Sequence, residues 1–308
     1  DRLRSRGLGD VYKRQGRILT GPEYLTVFNG LTGEAMQTID YVPVRGDLMG
    51  WGDSRGNRSD RFLACVAYLD GIHPSVVMCR GYYTRTVLAA FDWDGKELKQ
   101  RWVFDSNNPG CKDYAGQGNH NLRVGDVDGD GCDEIIYGSC AIDHNGKGLY
   151  TTEMGHGDAI HLTHFDPSRK GLQVWDCHEN KRDGSTYRDA ATGEVLFQIK
   201  DNTDVGRCMA ADIDPTQPGV EMWSVASGGI RNVKGEVVKD RVRGLSCNMA
   251  VWWDGDLLRE LLDRNMVSKY NWEKGVCERI AIFEGTLSNN GTKAVSYTHL
   301  RAHETGAY

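Results

Sequence analysis

The densest chemistry in the chain lies in "VGDVDGDGCDEIIYG", residues 124–138. Asp126, Asp128 and Asp130 occupy alternate positions, and Asp133 and Glu134 follow before the apolar Ile135-Ile136-Tyr137. Carboxylates packed this closely repel one another unless a cation or open water compensates them. Alternate Asp residues with intervening Gly can curl around one hard ion. Side-chain oxygens at positions one, three and five, a carbonyl at seven and a carboxylate at nine suit Ca²⁺. The expected ligands are Asp126, Asp128, Asp130, the carbonyl of Cys132, and Glu134. The stretch starts as an EF-hand loop does, but it lacks the carboxylate at position twelve and runs into a strand instead of a helix. It therefore predicts an ion that staples a sheet rather than a catalytic centre.

A variant of this device occurs in "MAADIDPTQPGVEMWSV", where Asp212 and Asp214 align with the first two ligands and Glu221 precedes the next strand. Several calcium sites are thus expected. "GDSRGNRSDRFLACV" offers Asp53, Asn57 and Asp60 either as a further site or as a polar turn before a strand. A different chemistry is concentrated in "CRGYYTRT". There Arg80 and Arg85 could pair with uronate carboxylates, and Tyr82 and Tyr83 could stack on sugar rings; an ordinary rim loop is the other reading.

These loops need a scaffold of strands. Five stretches share one design: "YLTVFNGLTGEAMQTI", "VLAAFDWDGKELKQRW", "TYRDAATGEVLFQI", "NMAVWWDGDLLREL" and "SKYNWEKGVCERI". Each has an apolar or aromatic segment, a turn holding Gly33, Gly95, Gly193, Gly255 or Gly275, and a second alternating segment. Gly supplies the positive φ that two-residue hairpin turns require. Other short strands lie between the hairpins, and no long helical period appears. Repeated antiparallel units must hide their edges, and radial stacking of four-stranded sheets does so. The expected class is all-β, a β-propeller, with a sandwich or β-helix as alternatives.

Composition narrows the function. The 308 residues carry a formal net charge of -6, which disfavours nucleic acid as a partner because phosphate binding needs a basic face. No apolar run reaches membrane-span length, so no membrane partner is expected. The nine cysteines include no CxxC pair and are odd in number, which argues against a zinc ribbon or a disulfide scaffold. They are expected to be small buried hydrophobes. Residues 1–15 and 296–308 fit no interior pattern and read as non-native, adapter-derived tails, leaving 16–295 as a domain truncated at both ends.

"GNHNLRVGDVDGDGCDEIIYGS", "EMGHGDAIHLTHFDP", "GRCMAADID", "SNNGTK" and "DRFLACVAYLDGIHPSVVMCRGYYTRTVL" resemble the motifs of the family 11 rhamnogalacturonan lyases. The resemblance covers nearly all of 16–294. It implies a fragment of an eight-bladed, calcium-rich β-propeller that cleaves the rhamnose–galacturonate bond of rhamnogalacturonan I by β-elimination. It also implies roles for residues: Lys293 as catalytic, Arg207 as its partner acting on the uronate carboxylate or as base, Asn290, Gly291 and Thr292 as rhamnose contacts, and His120 and His156 as cleft residues near a calcium.

Read alone, "NNGT" is a turn or a glycosylation sequon, and an Arg at a strand entry is a surface charge. His161 and His164 read as packing or sheet-surface residues, since their spacing from His156 suits zinc poorly. The fragment by itself is expected to be inactive, and the parent to be a monomer. Its expected compartment is outside a bacterial cell or in the cell envelope, with the cytoplasm left open. Two non-lyase readings stand beside this one: a noncatalytic calcium-dependent carbohydrate-binding propeller, and an adhesion-type propeller with integrin-like repeats.

Overall fold

The computed structural model describes residues 19–283. It contains strands with two short 3-10 turns, and the chain divides into two compact units, 1–156 and 157–308. In the first unit a hairpin of β1 (Tyr24–Phe28) and β2 (Ala35–Asp40) precedes two four-stranded sheets. One comprises β3 (Phe62–Ala67), β4 (Ser75–Arg80), β5 (Val87–Trp93) and β6 (Leu98–Asp105). The other comprises β7 (Gly118–Gly125), β8 (Glu134–Gly138), β9 (Cys140–Ile142) and β10 (Gly148–Thr151).

The second unit holds three more sheets. They are β11 (Ile160–Thr163) to β14 (Val195–Ile199) through β12 (Gln173–Cys177) and β13 (Ser185–Asp189); β15 (Cys208–Ala211) to β18 (Val237–Asp240) through β16 (Glu221–Ser224) and β17 (Gly229–Arg231); and β19 (Met249–Val251) to β22 (Val276–Ile282) through β20 (Glu260–Asp263) and β21 (Met266–Asn271). Every four-stranded sheet is a meander in which each strand pairs antiparallel with the next in sequence. The all-β expectation therefore holds.

The sheets pack through residues that the sequence alternation places inward. In the first unit Val77, Cys79, Leu88, Phe104, Ile135 and Tyr137 close a core between the two four-stranded sheets. Trp175, Tyr187, Phe165 and Met222 do so in the second unit, and Trp223, Leu261 and Tyr270 begin the core of the last two sheets. Each such side chain contributes about 1.5–3 kcal/mol on burial. All nine cysteines are free thiols; Cys79, Cys140, Cys177 and Cys208 are buried, as their apolar neighbours require.

The hairpins close by two devices. At Asp94-Gly95-Lys96-Glu97 the turn is the short form, with Gly95 at φ 92°. The others use a longer loop in which an Asn or Asp side chain caps the chain and a Gly follows four residues later. Asn29 Oδ1 accepts from Leu31 and Thr32 N–H, Asp189 Oδ1 from Ala191 and Thr192, and Asn271 Oδ1 from Lys274. Gly33, Gly193 and Gly275 then take φ of 73°, 75° and 67° and donate back to the carbonyls of Asn29, Asp189 and Asn271. The fourth predicted hairpin departs further. The β19–β20 connection over 252–259 is another acid-rich loop rather than a tight turn.

Arg80 corrects a sequence expectation. Its side chain is 0% exposed at the end of β4. Nε donates to Ser59 O at 2.7 Å, and Nη1 and Nη2 donate to the Glu23 carboxylate at 2.7 and 3.1 Å, with Pro43 O also accepting. The Trp51 and Phe62 rings flank the guanidinium. Arg80 ties the β1–β2 entry to β4 and is shielded from any sugar. Replacing it with Met leaves Glu23 with Arg45 as its remaining guanidinium partner and the two carbonyls short of donors. Arg80→Met should lower unfolding free energy by about 3 kcal/mol, read from the urea midpoint by tryptophan fluorescence. An unchanged midpoint would contradict this assignment.

Candidate functional site

The loop between β7 and β8 is folded by its own aspartates. Asp126 accepts from Gly129 N–H at 2.7 Å and from Gly131 N–H at 3.0 Å, while Asp128 and Asp130 each cap the residue two further on. Gly129 and Gly131 sit at φ 84° and 89°, which lets the chain curl inside the carboxylate ring. Asp126, Asp128 and Glu134 each bring one oxygen within 4.8 Å of the others. Glu134 is fully buried; its Oε2 accepts from Val127 N–H at 2.9 Å, and its Oε1 has no hydrogen-bond partner. Burial pushes this carboxyl up to about 7, and the charges of Asp128, Asp130 and Asp143 add to the shift. An unsatisfied buried oxygen facing two aspartates is the donor set that a hard cation takes.

Sequence reading missed the far side of this loop. His144 Nδ1 lies 2.8 Å from Asp143 Oδ1, 3.3 Å from Asp130 Oδ2 and 3.6 Å from Glu134 Oε1. Asp143 and His144 follow β9, whose residue Ile142 pairs with Ile135, so the register carries them opposite Glu134. Only the pairing of β8 with β9 could have revealed this.

The loop before β16 is arranged differently. Glu221 is buried, its Oε2 accepts from Ile213 and Asp214 N–H, and its Oε1 lacks a hydrogen-bond partner, as in the first loop. Burial pushes the Glu221 carboxyl up to about 8 and also raises Asp212. Asp214 Oδ1, however, is taken by the Thr216 N–H at 3.0 Å and its hydroxyl at 2.6 Å. At the 53–60 stretch the polar groups are engaged within the turn and with neighbouring arginines. Asp53 accepts from the N–H groups of Arg55, Asn57 and Arg58, Asn57 Oδ1 from Arg58 and Arg61, and Asp60 lies 3.8–3.9 Å from Arg80 and Arg45.

A group of rings stands in the first unit. Tyr82 and Tyr83 hydroxyls lie 3.0 and 3.1 Å from the two ring nitrogens of His120, which is on β7 rather than in a loop. His156 stacks on Tyr82 with an interplanar angle of 7°, approaches Tyr83 to 4.1 Å and His120 to 4.8 Å between centroids, and meets Gly118 O through Nδ1 at 2.5 Å. Arg58 lies over the Tyr83 face at 4.0 Å. The sequence placed these four rings in three separate motifs, and the structure gathers them. Arg85 is not an open cation: it forks onto Asp105 through Nε at 3.0 Å and Nη2 at 2.5 Å and stacks over Trp51. Its expected role as a uronate partner is therefore weakened by a carboxylate already in place.

In the second unit Arg207 enters β15. Its side chain is 39% exposed, Nη1 donates to Gly206 O at 2.6 Å and lies 3.7 Å from Asp158 Oδ2. Its opening is a cleft of about 650 Å³, also lined by Asp240, Arg241, Ser246, Asn248 and Asp263. Arg241 is exposed and held at φ 52°, a left-handed conformation that costs an arginine about 1–3 kcal/mol. Such strain collects at functional positions, and no sequence signal marked this one. His161 Nε2 meets Cys208 O at 3.2 Å and His164 Nε2 meets Arg169 O at 2.7 Å, in keeping with packing and surface roles. Lys293, Asn290, Gly291 and Thr292 lie outside the described residues.

The comparisons with known proteins fall on one family. The chain matches the model of "Rhamnogalacturonan lyase family 11, C-terminal domain" over residues 7–304. It is 56% identical over 301 residues to the rhamnogalacturonan exolyase YesX of Bacillus subtilis, covering 92% of this chain and 49% of that protein. It is 51% identical over 287 residues to the rhamnogalacturonan endolyase YesW of the same organism, covering 92% and 46%. Among solved structures, the rhamnogalacturonan lyase of Bacillus licheniformis superposes with a TM-score of 0.89 at 53% identity, over 92% of this chain and 49% of the other. The chain thus spans about half the length of the curated relatives it matches. On this coverage and identity, the chain belongs to rhamnogalacturonan lyase family 11 and corresponds to its C-terminal domain.

Proposed function

We propose that a full-length protein containing this chain is a rhamnogalacturonan lyase, that its sheets are blades of an eight-bladed propeller, and that calcium staples its acidic loops. The observation that carries the lyase reading is Arg207, half-exposed at the rim of a polar cleft in a chain of this family. For the propeller, five four-stranded meanders are the support, with β3 against β7 in one unit and β15 between β11 and β19 in the other. For calcium, the support is the buried Glu134 oxygen without a hydrogen-bond partner facing Asp126 and Asp128. The Glu221 loop supports it less, because Asp214 is partly spent on Thr216. A bound calcium would supply charge neutralisation.

The reaction asks for three things. A base takes the proton at C5 of the galacturonate, the C5–H electron pair becomes the C4–C5 double bond, and the bond from C4 to the rhamnose oxygen breaks, that oxygen gaining a proton. The developing enolate must be relieved of its second negative charge, or the proton will not leave. A guanidinium stays charged at any working pH and forks onto carboxylates, so Arg207 suits the uronate group. Lys293 remains the candidate for proton transfer. Its ordinary value of about 10.4 makes it a poor base unless a neighbouring cation or burial lowers it. In the first unit the exposed His120 and the half-buried Tyr83 can offer ring surface to sugar, with Tyr82 and His156 buried against them. The substrate, rhamnogalacturonan I, would be met as a monomer outside the cell or in its envelope.

In the full-length protein Arg207→Ala should lower kcat by about 10²–10⁴, measured by the absorbance of unsaturated uronate, with its melting temperature unchanged. Arg241→Ala should instead raise KM several-fold with little loss of kcat, because it removes binding common to ground and transition states. Unaltered kinetics in Arg207→Ala and in Lys293→Ala would remove those residues from the mechanism, and a full-length protein that releases no unsaturated product would favour the noncatalytic carbohydrate-binding reading. The 308-residue chain alone should release no unsaturated product. For calcium, calorimetry at 100 times the Kd should show stabilisation of about 2.7 kcal/mol per site. Glu134→Gln should abolish one such increment; retention of the full calcium response would remove Glu134 from the ligands.

A further inference from the structure

Three acidic loops of this chain share one construction. Glu134, Glu221 and Glu260 are the first residues of β8, β16 and β20, and each is fully buried. Each sends Oε2 back to the backbone N–H seven residues earlier: Val127 at 2.9 Å, Asp214 at 2.9 Å and Trp253 at 2.7 Å. The other oxygen is left to face the loop aspartates. What neutralises it depends on the residue opposite the glutamate on the following strand. Ile135 pairs with Ile142, Met222 with Arg231 and Leu261 with Ser268. One step further along each ladder, the residues opposite the three glutamates are Asp143, Asn232 and Lys269. Two of these carry oxygen donors and the third carries an ammonium group.

We infer that the Lys269 ammonium is the resident cation of the third loop, standing where a divalent ion stands in a loop of this construction, so that the last sheet is stapled without metal. Lys269 Nζ lies 2.5 Å from Asp254 Oδ2, 2.5 Å from Asp256 Oδ2 and 3.0 Å from Glu260 Oε1. An ammonium has three N–H donors and no acceptor; Asp254 and Asp256 each accept one, and Glu260 Oε1 stands beside it as an ion pair. The three carboxylates gather within 4.8 Å of one another, as Asp126, Asp128 and Glu134 do. Calcium would need six to eight oxygens at about 2.3–2.6 Å. It would also have to expel a cation that is covalently attached and therefore present at high effective concentration.

The Lys269 side chain is 22% exposed. Burial alone would ease the proton off, but the hydrogen bonds it donates to Asp254 and Asp256, with the charge of Glu260, outweigh that and hold the group charged well above the ordinary range. The inference does not depend on whether the first loop holds calcium, because it concerns only what the third loop excludes.

Counting bound Ca²⁺ per full chain by equilibrium dialysis at saturating calcium tests it. Asp256→Asn changes an exposed ligand and is compatible with folding. The count should equal that of the unaltered chain, and loss of one ion would overturn the proposal. Lys269→Ser opens the space and keeps the three carboxylates. It should gain one ion, together with a new calcium-dependent rise in melting temperature. A folded Lys269→Ser chain that gains no ion would also overturn it. Where that variant does not fold, the Asp256→Asn count alone decides.

Discussion

A buried carboxylate at the mouth of a strand is the constraint on which this fold turns. Glu134, Glu221 and Glu260 have no exposed surface, and each fixes its sheet to the preceding loop through one or two backbone N–H groups. Moving an ionised carboxylate out of water without a partner costs several kcal/mol, so the group must find a cation or take up a proton. The upward shifts of Glu134 and Glu221 express that cost. Glu260, with an ammonium at 3.0 Å, has its answer within the polypeptide. One architectural element thus recurs with a different residue opposite its glutamate: Asp143, Asn232 or Lys269.

The same accounting separates the arginines. Arg80 and Arg85 lie within a few residues of two tyrosines and look in sequence like a sugar-binding cluster. In the structure their charge is spent, on Glu23 in one case and Asp105 in the other. Arg207 has its nearest carboxylate at 3.7 Å and keeps a large part of its surface open to a cleft. Availability, not residue type, decides which guanidinium can meet an anionic sugar. The tyrosines of the same motif survive as candidates because their hydroxyls converge on His120 while their faces meet His156.

What was legible in the sequence was local. Alternation and glycine placement announced the hairpins at Gly33, Gly95, Gly193 and Gly275, because the information that bends the chain lies within a few residues. The Asp126–Glu134 loop was legible for the same reason. Contacts made by register were not. Asp143 and His144 reach Glu134 from the next strand, Lys269 reaches three carboxylates from β21, and Glu23 lies 57 positions before the arginine it holds. The "WWDGDLL" stretch was misleading, since Asp-Gly there reads as a tight turn although it opens an acidic loop closed by Glu260. The strained Arg241 had no local signature, because left-handed backbone in an arginine is imposed from outside its own segment.

A net charge of -6 runs against the proposed acidic polysaccharide substrate, and the resolution is again local. Charges beyond about 8 Å are screened at physiological ionic strength, so the mean charge of the surface matters little to a bound sugar acid. What matters is how charge is placed locally. Arg207 and Arg241 line the cleft with Asp240 and Asp263, and neither arginine is forked onto a carboxylate as Arg80 and Arg85 are. In the acidic loops, carboxylates serve backbone N–H groups or a cation. Acid groups used structurally in this way would leave the two guanidinium groups of the cleft to meet the proposed acidic ligand.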